Sequence, residues 1–556
     1  MHTTTIGLIT IASPAFFIVT AVLSYFQPGK RPRFIKTLST LASIVSIIAA
    51  AFGGYFVFQH GLLESGTFGY QGFGMSFRLD SISALMFGMI ALLGFIVVRF
   101  SQNYMDGDAR QGAFMGRLAM AIATVQLLVL SGNLGILFLS WVFTSMALHK
   151  LLLFYPERPG AIIAARKKFL VARLGDLSLL VAVGALYNTY ETGNLELIFQ
   201  QIAASMKQGS VPNTVELAAL FFALAALLKS AQFPTHGWLI EVMETPTPVS
   251  ALLHAGLLNA GPFLIIRMAY VMEASTIAST LLIVIGGFTA LFASVVYLTQ
   301  TSIKTALGYT SIAHMGFSLM VCGLGVFPAA MLHLVAHSFY KAHAFLSTGS
   351  VIDTLRAKRI TGVRRTGSWW KIALGIALGL GVYTVFAVLW GIDLEKERSL
   401  LAIGAVIALG LSRLFTSAID SNGSFKLVVQ ATLLSLLVSL SFFSLESAMH
   451  TVLVRDLPEL GTLSLLETIS ISILLLLFAT ALFIQIAAPL LQPSERYQRW
   501  EIHLKNGLYV NTQFDRVVRA LHAHGSLAKP VFIEHKEEIN SPSATSTYSR
   551  QPLLKT

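Results

Sequence analysis

Apolar residues recur along the chain in runs of about 20 residues, separated by short polar stretches, almost from end to end. The runs predict about fifteen membrane-spanning helices. They fall near residues 6–26, 37–59, 80–98, 114–131, 133–154, 169–190, 217–241, 246–272, 277–299, 303–325, 329–352, 370–391, 400–419, 425–447 and 466–491. After Gln492 the pattern changes. Residues 494–530 read as an amphipathic or interfacial piece, with Arg496, Arg499, Trp500, Lys505, Arg516 and Arg519. The Ser- and Thr-rich end from about Glu537 reads as disordered. The expected class is an all-α polytopic membrane protein.

Composition sharpens this picture. Of 556 residues, 55% are apolar and only 12% are charged, about half the share of a soluble domain. A soluble enzyme, a fibrous chain and a disordered chain are excluded. Lys plus Arg number 39 against 27 Asp plus Glu, a net charge of +12. These cations sit in short loops between apolar runs, which points to membrane topology and not to nucleic acid. Cys322 is the sole cysteine, so this chain can form neither an internal disulfide nor a Cys-rich zinc or iron–sulfur site. Ile6 to Phe26 has no basic leader and is expected to be a first span, not a cleaved signal.

Loop charges give the expected orientation. Lys30, Arg31, Arg33 and Lys36 follow the first span. Lys150, Arg158, Arg166, Lys167, Lys168 and Arg173 follow the fifth, and Arg356, Lys358, Arg359, Arg364, Arg365 and Lys371 the eleventh. Residues 191–216 instead carry three acids and one Lys, and residues 446–467 four acids and one Arg. The positive-inside rule then places the N-terminus outside and the C-terminus in the cytoplasm, as an odd number of spans also requires.

An ionisable side chain flanked by apolar helix is costly in a bilayer and marks a functional site. Lys229 lies about 13 residues after Glu216, roughly 20 Å along a helix axis, with only apolar residues between. Pro234, five residues on, removes a backbone donor and frees a carbonyl near Ser230, so a helix break is expected beside a buried amine. The alternative for Lys229 is structural pairing with one carboxylate. His333, His337 and Lys341 repeat at i, i+4, i+8 and form one stripe, suited to carrying protons or holding water. His343 lies on another face. Helix-to-helix hydrogen bonding is the plain alternative, and no Cys or carboxylate completes a metal set. His254 follows the helix-starting Pro246 and Pro248 and could link Lys229 to that stripe. His314 is a weaker candidate, and Asp176 has Arg173 as a local ion-pair partner. Gly375 and Gly379 form a GxxxG, read as close helix packing.

The segments Leu228 to Leu239 and Met243 to Ala255, with Gln300-Thr301-Ser302-Ile303-Lys304 and His337-Ser338-Phe339-Tyr340-Lys341-Ala342, resemble the antiporter-like subunits of respiratory complex I and of Mrp cation/proton antiporters. The resemblance covers about residues 80–360, and full-length it is to the NuoL type. It implies inverted five-helix repeats with a broken helix in each. The expected parts are N-terminal helices at 1–113, repeats at 114–272 and 273–424, C-terminal helices at 425–493 and a cytoplasmic piece at 494–556. It also implies that Lys229, His254, His333, His337 and Lys341 line a hydrated ion path. Lys304, His314, Asp176, His149 and Lys150 are further candidates.

Two features depart from that pattern. The family usually has a glutamate just after the span 5 tryptophan, whereas Trp141 is followed by Val142, Phe143 and Thr144, and the span ends in His149-Lys150. The family's second lysine is also missing from span 12, and the long lateral helix is absent. With the segment Ser140-Trp141 to Glu157-Arg158-Pro159, these departures resemble the DabB branch of bacterial inorganic-carbon accumulation complexes. That resemblance implies a bacterial inner-membrane subunit in which H⁺ or Na⁺ flux energises CO₂ hydration. The chemistry would belong to a DabA-like peripheral zinc protein on the cytoplasmic side, with no cofactor in this chain. A complex I or Mrp antiporter subunit, and a non-conducting scaffold for a soluble enzyme, are the alternatives.

Overall fold

The computed structural model describes residues 2–70, 72–242, 245–349, 368–392, 397–420, 425–487 and 495–525. The basic loop from Arg356 to Arg365, the far ends of the segments 329–352 and 466–491, and the tail from Glu537 lie outside the described residues.

Helices underlie every one of the fifteen apolar segments. They are α1 (His2–Leu23), α2 (Arg33–His60), α3 (Ser81–Tyr104), α4 (Gln111–Val129), α5 (Leu134–Leu152) and α6 (Pro159–Tyr190). After the amphipathic α7 (Leu195–Lys207) come α8 (Asn213–Lys229), α9 (Gly237–Glu241), α10 (Thr247–Ala255), α11 (Ala260–Arg267) and α12 (Ala269–Glu273). Then follow α13 (Thr276–Tyr297), α14 (Ile303–Gly323), α15 (Phe327–Leu346), α16 (Trp369–Leu389), α17 (Arg398–Ile419), α18 (Phe425–Leu453) and α19 (Leu465–Ala487). Two further helices, α20 (Glu495–Lys505) and α21 (Val510–Gly525), occupy the C-terminal piece.

Among the described residues, 11 helices are long and apolar enough to cross a bilayer. The expected fifteen is therefore a count of apolar helical segments, and fewer of them meet that standard. The reasons are local. α8 stops after 17 residues at Lys229 itself. α14 and α15 are diluted by Lys304, His314, His333, His337 and Lys341.

Several helices start where a side chain satisfies a free backbone N–H. Asp80 accepts from the Ser83 amide at 2.8 Å, and Asn133 accepts from that of Ile136 at 2.8 Å. α6 differs most from expectation. It begins at Pro159, ten residues before the predicted span, because Pro at N1 and the run Ala161 to Ala165 favour helix. Arg166, Lys167, Lys168 and Arg173 are thus helical residues and not loop residues. The all-α description also omits four short strands between α2 and α3: β1 (Leu63–Glu64), β2 (Phe68–Tyr70), β3 (Phe73–Met75) and β4 (Arg78–Leu79). β1 pairs antiparallel with β4, and β2 with β3.

Glycines set the closest helix approaches. A Cβ on Gly316 would stand 2.6 Å from the Gly286 carbonyl oxygen, so α13 and α14 touch backbone to backbone. Gly375 and Gly379 face Thr416 and Ser412 across α16 and α17, as the GxxxG reading expects.

Candidate functional site

The chain leaves helical geometry immediately after Lys229. Ala231 takes a left-handed conformation, φ 52°, and helix resumes only at Gly237. Pro234 stands in the interruption. The Ser230 carbonyl accepts a hydrogen bond from the Gln232 side-chain amide at 2.7 Å. A second interruption separates α10 from α11 at Gly256. In the second half α16 runs unbroken, unlike the expected break in each repeat; its sequence has no proline, and its one lysine, Lys371, stands in the first turn.

The break presents Lys229 to α5. Its Nζ donates to the Trp141 carbonyl at 3.1 Å and to Ser145 Oγ at 2.7 Å, and lies 4.3 Å from the Trp141 ring centroid. Ser145 also serves Lys168 of α6, whose Nζ donates to the Ser145 carbonyl at 2.5 Å. Lys168 is buried, with 4% of its surface exposed. Asp176 pairs with Arg173 at 2.6 Å and acts electrostatically on both amines. The approach of α6 to α8 is close here: a Cβ on Gly175 would lie 3.5 Å from Leu228 Cβ. His149 is half-buried within reach of the Lys168 charge. Lys150 is exposed beside it, bordering a cavity of about 350 Å³.

The second cluster joins three helices. His314 Nδ1 on α14 lies 3.2 Å from His333 Nε2 on α15, and the His314 and His337 rings are 4.8 Å apart. Lys341 is fully buried and donates to the Leu307 carbonyl at 3.0 Å and to Thr310 Oγ1. The His254 ring stacks on Phe345 at 4.3 Å, within electrostatic reach of Lys341 and His337. Neither ring nitrogen of His254 or of His337 has a hydrogen-bond partner among the described residues. Buried polar atoms left this way are expensive and rare. No three His, Cys, Asp or Glu among the described residues are arranged to hold a metal ion. Lys304 sits in the first turn of α14 and makes no hydrogen bond to either cluster among the described residues.

Polar groups that sequence reasoning passed over lie between the clusters. Ser230 Oγ donates to the Leu258 carbonyl at 3.3 Å, and Asn259 Nδ2 donates to Ser338 Oγ at 2.6 Å. Lys167 was likewise read as loop charge. It is fully buried, bound to Glu241 at 2.5 Å, to Asn511 at 3.0 Å and to Asp515. The signal available for Lys167 and Lys168 was the Pro159 helix start, which carries α6 through both residues. On the acidic-loop face, Asp80 is enclosed by Arg78 at 2.8 Å and by Arg267. Burial pushes the Asp80 carboxyl up, but the Arg267 and Arg78 guanidiniums outweigh this and hold it well below the usual range.

Comparison with known proteins follows the same lines. Residues 131–385 match the family model described as the membrane part of NADH:quinone oxidoreductase and Mrp antiporter subunits. Residues 67–115 match that of the complex I chain 5 N-terminus. A probable inorganic carbon transporter subunit, DabB2, of Halothiobacillus neapolitanus is 34% identical over 528 residues, covering 93% of this chain and 94% of the relative. A probable inorganic carbon transporter subunit, DabB, of Hydrogenovibrio crunogenus is 36% identical over 349 residues, 61% of this chain and 66% of the relative. Among solved structures, a chain of the Mrp complex from Dietzia sp. is similar in fold, with a TM-score of 0.65 at 22% identity. That match covers 94% of this chain and 60% of the other.

Proposed function

This chain belongs to the DabB family of inorganic carbon transporter subunits, with an antiporter-like membrane fold, and on that premise we propose that it conducts a cation through the bilayer to drive inorganic carbon uptake. The observation that carries the reading is Lys229. It is an amine held at the end of a broken helix in the middle of an apolar bundle, with backbone and hydroxyl oxygens in reach and no direct carboxylate bond among the described residues. A site of this kind changes charge state when neighbouring charges move, which is the elementary act of ion coupling. The hydrogen-bonded pairs Ser230–Leu258 and Asn259–Ser338 support a polar route between it and the His254, His314, His333, His337 and Lys341 cluster.

In this reading the N-terminus is periplasmic, and the basic loops and C-terminal helices face the cytoplasm of a bacterial cell. A DabA-like peripheral zinc protein docks there and hydrates CO₂, and ion flux through this chain makes that hydration one-way. The chain itself supplies charge movement and not bond chemistry.

Lys229→Ala and Lys341→Ala test this in cells carrying the complete complex. Uptake of labelled inorganic carbon is expected to fall at least tenfold in each, with the complex assembled in normal amount. Unchanged uptake in both variants would mean that the chain is a scaffold.

A further inference from the structure

The Lys229 site holds more positive charge than it can neutralise. Lys229 and Lys168 both bind Ser145, one through the hydroxyl and one through the carbonyl. Arg173 is the third cation in electrostatic reach of both. Asp176 is the only carboxylate acting on either amine among the described residues, and it is already paired with Arg173 at 2.6 Å. Arginine stays charged, so the Arg173–Asp176 pair is neutral as a unit. Two amines around one serine, Lys168 buried and Lys229 half-buried, therefore lack a counter-charge, and like charges sharing one serine inside an apolar bundle cannot both persist.

We propose that the transported ion is a proton and that Lys168 is its second carrier, exchanging one proton with Lys229 across Ser145 and passing it on toward His149 and the basic-loop face. This rests on the ion-conducting reading above and names the ion. In the exchange, one amine is an ammonium and the other is neutral with a free lone pair. An N–H bond breaks on Lys229 as one forms on Lys168, and the total charge of the pair is unchanged. A sodium ion has no comparable place, since its ligands would have to be shared with an ammonium.

The groups facing Lys168 are consistent with a route. Lys229 approaches from α8, Asp176 and Arg173 from the next turns of α6, and His149 from α5. The His149 Nδ1 atom has no hydrogen-bond partner among the described residues. His149 also borders the cavity of about 350 Å³ that Arg117 and Lys150 line. The sequence Lys229, Ser145, Lys168, His149 thus runs from the helix break to an opening.

The test separates a titrating amine from a fixed cation. In cells carrying the whole complex, Lys168→Arg keeps the charge but cannot release a proton, and Lys168→Met removes both. Both are expected to lower labelled inorganic carbon uptake at least tenfold with normal assembly. Lys168→His, which still titrates, is expected to retain uptake with its pH optimum moved toward acid. Uptake is expected to persist when choline replaces sodium and to collapse with a protonophore. Full uptake in Lys168→Arg would make Lys168 a structural cation and overturn the proposal, as would loss of uptake on sodium removal. If Lys168→Met fails to assemble, Lys168→Arg and Lys168→His still decide. Uptake lost in Lys229→Ala but kept in every Lys168 variant would sink the relay alone. Uptake kept in both sets would sink the ion-conducting reading itself.

Discussion

A single carboxyl on the acidic-loop face shows how strongly local surroundings set charge in this protein. Glu273, at the end of α12 and outside the long helices, is raised to about 7, by burial first and then by the nearby Glu467. Its ordinary value in the unfolded chain is near 4.5, so the folded state resists ionisation of this group. Between those values the folded chain binds more protons than the unfolded one, and stability falls as pH rises through that window. Glu273→Gln is expected to raise the unfolding temperature of the detergent-solubilised protein at pH 8 and to leave it unchanged near pH 4.5. A pH-independent shift would contradict this account. The Asp80 site works in the opposite sense, because two guanidiniums make its charged form the stable one. These two carboxyls sit on one face of the bundle with opposite tendencies, which residue type alone cannot forecast.

At the level of helices, the apolar periodicity located each long element, since transfer of about 20 apolar residues into hydrocarbon overrides other preferences. Breaks were legible where a proline follows an amine at the end of an apolar run, as at Lys229 and Pro234. The interruption at Gly256 and the early start of α6 were less visible, because a glycine inside a helix and a basic run after a proline both admit several outcomes. In the same way Lys229, His333, His337 and Lys341 could be picked from spacing, whereas Lys168 could not. Its burial depends on α6 extending past the predicted boundary and on Ser145 of another helix meeting it. Helix contact itself depends on glycine at specific places. Gly316→Val would push a side chain into the α13 backbone and is expected to destabilise the bundle by about 1–3 kcal/mol. Gly184→Ala, with nothing within 4 Å of the added methyl, is the matched control and should be neutral or mildly stabilising. Thermal unfolding in detergent separates the two.

Across the whole molecule, the C-terminal helix α21 is fastened to the membrane part through Lys167. That buried amine gathers Glu241 of α9, Asn511 and Asp515, and Asn511 Nδ2 donates back to Glu241 at 2.8 Å. Glu241 and Asp515 are 22% and 24% exposed, so the strength of the fastening lies in the buried amine meeting two carboxylates, and a second amine in place of one of them would repel it. Asp515→Lys is therefore expected to release α21 and expose it to limited proteolysis, and the double exchange Lys167→Asp with Asp515→Lys to restore part of the protection. Equal protection in all three forms would show that apolar packing alone holds the helix.

Lys167 and Lys168 are consecutive on α6, about 100° apart around its axis. One grips the terminal helix and the other grips Ser145. α6 is therefore a spindle with a fitting on each side. A partner that tugs on the terminal helix and twists the spindle by even a fraction of a turn must also shift the neighbouring amine against the helix break. Force applied at the rim of the protein would then be felt at its electrical centre without any long chain of intermediaries.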